Sequence, residues 1–226
     1  MEIVVRDRLN VVRERVAEAL RESGRGLNEA RVLVAGKYYA PEQVATLAKA
    51  GVELLGENKA EDLLRKQALF GDKFEWHFIG HLQRRKAKKV ADKVTLVHSV
   101  DSIKLIEELA KRAPERGMEV LVQANVSGEG SKYGVEEGEV ERLLEAAART
   151  EGKVRIRGFM TLAPLVEDPE NVRYVFAKLR KIRDRLRNGW SPHFNLSELS
   201  MGMSNDYPIA IEEGATIIRI GRAFLV

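Results

Sequence analysis

The sequence predicts an α/β fold, a single (β/α)8 barrel with an extra helix at its N-terminus. Three observations carry that expectation. Short apolar runs alternate with longer amphipathic segments along the whole chain, which argues for parallel strands joined by helices. The alternation occurs about eight times in 226 residues, the repeat number and length of a closed barrel. An open doubly wound sheet would carry a glycine-rich first turn, whereas residues 36–41 read GKYYAP rather than G-x-G-x-x-G.

Each element has its own justification. Residues 7–22 form an amphipathic helix, because Leu9, Val12, Val16 and Leu20 recur at spacings of three and four. The strands are RVLVAGK (31–37), VELLGE (52–57), EWHFIG (75–80), VTLVHS (94–99), MEVLVQANV (118–126), VRIRGFM (154–160), LSELSM (196–201) and TIIRI (216–220). Helical segments lie between them, including a long one over 169–187. The last strand is followed by only a few residues, so the N-terminal helix is expected to cover the gap in the helical ring. No linker, repeat or low-complexity tract interrupts the pattern, and one domain is expected over residues 1–226.

Composition removes several function classes. There is no cysteine, hence no disulfide, thiolate nucleophile or cysteine metal site. The charged N-terminus lacks a signal-peptide core, and no apolar run is long enough to span a bilayer. A cytoplasmic protein without membrane contact is expected. The net charge of +4 suits an anionic ligand as well as it suits nucleic acid. The basic stretch RRKAKKVADK (84–93) has no interleaved aromatics, and Ala87, Val90 and Ala91 fall at helical spacing. It reads as a solvated helix face, and no nucleic-acid partner is expected. The four histidines are too scattered for a metal site; His77 reads as a core residue and His193 as an exposed one.

Function in this fold is carried where strands end. Those positions hold Lys37, Glu57, Asn58, His81, His98, Asn125 and Ser127, then SMGMS (200–204) and Gly221-Arg222. A lysine ending an apolar run is costly to bury without a partner, so Lys37 asks for a role. Serine hydroxyls and free backbone N–H groups after strands seven and eight suit a phosphate. Arg219 alternates with Ile218 and Ile220 and should point into the barrel beside Lys37 once strands one and eight pair. An amine, a phosphate cradle and an arginine fit pyridoxal 5'-phosphate, whose aldehyde takes a lysine and whose ring nitrogen an arginine would leave unprotonated.

The blocks LVAGKYYAPEQV (33–44), GENKAEDLLRK (56–66), EWHFIGHLQRRK (75–86), HSVDSIKLIEEL (98–109), VLVQANVSGEGSKYGV (120–135), RIRGFMTLAP (155–164) and LSMGMSNDYPIAIEEGATIIRIGRAFLV (199–226) resemble the pyridoxal phosphate homeostasis proteins, which share the alanine racemase N-terminal-domain barrel. The resemblance implies that Lys37 is the Schiff-base lysine. It implies that Ser200 and Ser204, with the backbone around Gly221 and Arg222, bind the phosphate. Arg219 would face the pyridine nitrogen, and Asn58 and Met201 would wall the pocket. It further implies a monomer that carries or buffers the cofactor, sustains vitamin B6 and amino-acid homeostasis, and serves pyridoxal-phosphate-dependent apoenzymes. A low-activity amino-acid racemase is the alternative. Tyr38, Arg85 and Asn205 depart from the family pattern, Tyr38 standing where a small threonine is usual.

Overall fold

The computed structural model describes residues 2–128 and 133–224. Eight strands close a parallel barrel in chain order: β1 (Arg31–Ala35), β2 (Leu54–Glu57), β3 (Glu75–Phe78), β4 (Leu96–Val100), β5 (Met118–Gln123), β6 (Val154–Met160), β7 (Glu198–Met203) and β8 (Ile217–Ile220). β8 pairs with β1, setting Leu33 opposite Arg219 and Val34 opposite Ile220.

The helices are α1 (Glu2–Glu22), α2 (Pro41–Lys49), α3 (Ala60–Phe70), α4 (Ala87–Val90), α5 (Ile103–Arg112), α6 (Val140–Ala148), α7 (Arg173–Trp190) and α8 (Tyr207–Glu212). Helix α1 starts earlier than the apolar spacing marked, because Val5 extends the buried stripe of Leu9, Val12, Val16, Ala19 and Leu20 by one turn. It packs against α8 and α2 and so fills the gap in the ring. Local signals set other boundaries. Pro41 opens α2, where Gln43 Oε1 accepts from Ala40 N at 2.8 Å, and Ser102 Oγ caps α5 by accepting from Leu105 N at 3.3 Å. The expected 169–187 helix begins as a 3-10 turn over Pro169–Val172 and continues as α7.

Two apolar layers result. The larger lies between strands and helices. The smaller fills the barrel itself with Leu33, Leu54, Leu96, Leu121, Met160 and Ile217. Small residues make room at tight points. Gly158 in β6 has φ +148°, and a Cβ there would lie 1.9 Å from the Glu198 carbonyl oxygen of β7. Backbone cannot yield as a flexible side chain can. Gly158→Ala is therefore expected to cost about 3 kcal/mol, at the upper end of overpacking penalties, read as a lowered urea midpoint.

Two regions bear on the sequence expectations. In the basic stretch 84–93, Lys86 and Lys89 reach Glu61 at 3.0 and 3.3 Å, and Lys93 pairs with Asp92 at 3.0 Å. Gly130, Ser131 and Lys132 of the GSKYG motif lie outside the described residues, as do Leu225 and Val226. Among the described residues no helix is long and apolar enough to cross a membrane, and no group of three His, Cys, Asp or Glu could hold a metal ion.

Candidate cofactor site

A cavity of about 590 Å³ opens at the C-terminal ends of the strands. Lys37, Tyr38, Asn58, Ser204, Arg219, Gly221 and Arg222 line it, with Ile79, Met203 and the 162–165 segment completing the wall.

Lys37 sits in a 3-10 turn directly after β1, with its side chain exposed. Its Nζ lies 4.9 Å from the centroid of the Tyr38 ring, a cation–π distance. The turn is held from behind. Glu57, at the end of β2 and fully buried, pairs with the buried Lys66 of α3 at 2.5 Å. Lys66 Nζ also donates to the Gly36 carbonyl at 2.7 Å. Burial pushes the Glu57 carboxyl up, and the hydrogen bond from Lys66 opposes that shift. Lys66 is thus the buried partner of Glu57. Gly36 is required here, because a Cβ would fall 2.1 Å from Glu57 Oε1.

Arg219 forms the polar floor. It is 6% exposed, with Nη1 donating to Ser200 Oγ at 2.6 Å and Nη2 to the Thr161 carbonyl at 2.8 Å. It makes no ion pair among the described residues. Burial lowers its pKa to about 10, a shift that the Asp206 carboxylate partly offsets. Asp206 is itself buried and accepts from Met203 N at 2.6 Å, which anchors the chain just after β7.

The other polar end lies between Ser204 and Gly221, where Gly221 N donates to Ser204 Oγ at 3.4 Å. A Cβ on Gly221 would meet Tyr38 Cε2 at 2.4 Å and Ala35 Cβ at 3.3 Å. Gly221→Ala is therefore expected to displace the Tyr38 ring and weaken ligand binding about tenfold. Adding Tyr38→Thr should restore most of that loss in an equilibrium titration.

The structure brings together Lys37, Asn58, Ser204, Arg219, Gly221 and Arg222 around one cavity. It places Ser200 and Met201 elsewhere. Strand β7 runs two residues beyond the expected 196–201, and its register shifts between Ser200 and Met203. Ser200 is consequently inside the barrel beneath Arg219, hydrogen bonded to it and to His98 Nδ1 at 2.8 Å. Met201 points outwards and is fully buried in the outer layer, so Met203 lines the cavity instead. Thr161 and the 162–165 segment were missed. Their only signal is their place after strand six. On the same face, His81 stacks on Tyr133 at 4.0 Å and lies 3.3 Å from Asp101.

Comparison with known proteins adds identity to this geometry. The model of the alanine racemase N-terminal domain matches residues 11–225. A pyridoxal phosphate homeostasis protein of Aquifex aeolicus is 43% identical over 218 residues, covering 95% of this chain and 94% of that protein. One from Pseudomonas aeruginosa is 35% identical over 215 residues, covering 94% and 90%. Among solved structures, PipY of Synechococcus elongatus is 30% identical and superposes with a TM-score of 0.86 without PLP, over 98% of this chain and 100% of that one. Its form with PLP bound gives 0.79 over 93% and 100%. Alanine racemase from Corynebacterium glutamicum, 12% identical with a TM-score of 0.68 over 96% of this chain and 60% of that one, shares the barrel alone. A domain match from residue 11 to residue 225, with relatives this similar over nine-tenths or more of their length, means that the chain belongs to the pyridoxal phosphate homeostasis proteins, a family built on the alanine racemase N-terminal domain.

Proposed function

We propose that this protein binds pyridoxal 5'-phosphate at the Lys37 cavity and carries or buffers it within the cell, as a monomer, for apoenzymes that need it. The observation that carries the reading is the convergence of Lys37, Arg219 and the Ser204–Gly221 pair on one cavity. The donor set fits the group. A primary amine suits an aldehyde, a hydroxyl beside backbone N–H suits a phosphate, and a guanidinium suits a ring nitrogen that accepts. Asn58 Oδ1 is buried and accepts no hydrogen bond among the described residues, which leaves an acceptor for a ligand donor. When bound, the cofactor supplies an aldehyde that Lys37 Nζ captures as a Schiff base, with its oxygen released as water. Around that link, Arg219 orients the ring, Ser204 and the Gly221 backbone hold the phosphate end, and Tyr38 and Leu162 flank the opening. The exposure of Lys37 suits release to another protein better than a reaction that must exclude water.

Equilibrium binding of pyridoxal phosphate and of phosphate-free pyridoxal tests this reading. Wild type should favour the phosphate ester by at least roughly tenfold, and Ser204→Ala should weaken that ligand while leaving pyridoxal unchanged. Equal affinities would refute the phosphate cradle. Deuterium uptake at the α-carbon of an added amino acid would replace the carrier reading with a racemase.

A further inference from the structure

The floor of the cavity is joined to the opposite rim of the barrel by an unbroken line of hydrogen bonds. Arg219 Nη1 lies 2.6 Å from Ser200 Oγ, which lies 2.8 Å from His98 Nδ1. His98 Nε2 is 2.8 Å from His77 Nδ1, and His77 Nε2 is 2.9 Å from Glu75 Oε1. The five side chains come from β8, β7, β4 and β3. Four of them are buried, and Glu75, the first residue of β3, reaches the half-exposed N-terminal rim, where it also pairs with Arg31. The His98–Ser200 bond crosses the barrel interior.

Counting donors fixes the direction of the line. A guanidinium only donates, so Ser200 Oγ accepts from Arg219; with both imidazoles neutral and the carboxylate accepting at the far end, Ser200 gives its own proton to His98 Nδ1. His98 then carries its proton on Nε2 and donates to His77 Nδ1. His77 in turn carries its proton on Nε2 and donates to Glu75, and a carboxylate only accepts. Every group is satisfied with both imidazoles neutral. The reverse direction is closed, because the Glu75 carboxylate has no proton to donate, so a neutral His77 must carry its proton on Nε2 and accept at Nδ1. Burial holds both imidazoles below the ordinary histidine value, His98 far below, in keeping with neutral rings.

We propose that Glu75, His77, His98 and Ser200 are positioning residues for Arg219, forming a one-way hydrogen-bond chain that ties its guanidinium to a carboxylate at the far rim. The chain stands in for the absent ion pair. It polarises in one sense from cation to anion, and it keeps Arg219 oriented at the cavity floor. Its effect on the cofactor rests on the pyridoxal phosphate reading above; its hydrogen-bond direction does not.

The first test needs no ligand and no variant. Long-range proton–nitrogen NMR of the full chain with 15N-histidine should show two rings at pH 7 that are neutral and protonated on Nε2. His77→Gln and His98→Gln samples assign the signals. An Nδ1-protonated ring or an imidazolium at either position overturns the chain. The second test is a double-mutant cycle on pyridoxal phosphate affinity. Glu75→Gln should weaken binding roughly threefold to tenfold in wild type, and that loss should vanish once Ser200→Ala has cut the line. Additive losses, or none from Glu75→Gln, overturn the proposal. Failure of every sample to bind pyridoxal phosphate would contradict the carrier reading while leaving the tautomer result standing.

Discussion

Lys66→Met is expected to lower stability by about 3–5 kcal/mol, the cost of stripping one partner from a buried ion pair. Lys66 and Glu57 are 3% and 0% exposed in their side chains, so neither charge is solvated in compensation. The substitution also leaves the Gly36 carbonyl without its lysine donor. Glu57 would then feel burial without its main counterweight, and its folded pKa would rise further above that of the unfolded chain. A carboxyl with a raised folded pKa favours the folded state at low pH and loses that contribution as pH rises. The deficit of Lys66→Met should therefore grow as pH increases above the ordinary glutamate range. Urea melts across pH measure it. The double variant Glu57→Gln with Lys66→Met should recover much of the loss, since neutral partners carry no desolvation penalty of that size. Because Gly36 leads directly into Lys37, the single variant should also slow capture of pyridoxal phosphate.

Arg219→Met separates binding from folding. The guanidinium is buried at a cost visible in its lowered pKa, and its listeners are a hydroxyl and a carbonyl rather than a carboxylate. Replacement by an apolar side chain of similar length relieves the charge burial while leaving Ser200 and Thr161 short of one donor each. Stability should stay within about 1 kcal/mol of wild type as these effects offset. Affinity for pyridoxal phosphate should fall about 10–100-fold, the value of one or two hydrogen bonds from a charged donor. Calorimetry paired with a binding titration reads both.

The barrel was legible in the sequence because each strand is a short apolar run and each helix an amphipathic one. Local periodicity reports those features directly. Lys37 and Arg219 were legible for a related reason, since each places a cation where its neighbours are apolar. Ser200 and Met201 were not. Their positions depend on a register shift in β7, where Gly202 at φ +89° lets the strand approach α8; a Cβ there would lie 2.6 Å from Ala210 Cβ. That contact is tertiary, and period-two patterning carries no trace of it. The pairing of Glu57 with Lys66 spans a strand and a helix, and the His98–Ser200 bond joins residues 102 positions apart. Such contacts become readable only when the barrel closes.

The central claim, that Lys37 holds the cofactor, is tested most directly by reducing the pyridoxal-phosphate-loaded protein with borohydride and mapping the modified peptide. The account predicts a violet absorbance band before reduction, one phosphopyridoxyl group on Lys37 afterwards, and neither in Lys37→Ala. An adduct on another lysine, or a band that survives in Lys37→Ala, would contradict it.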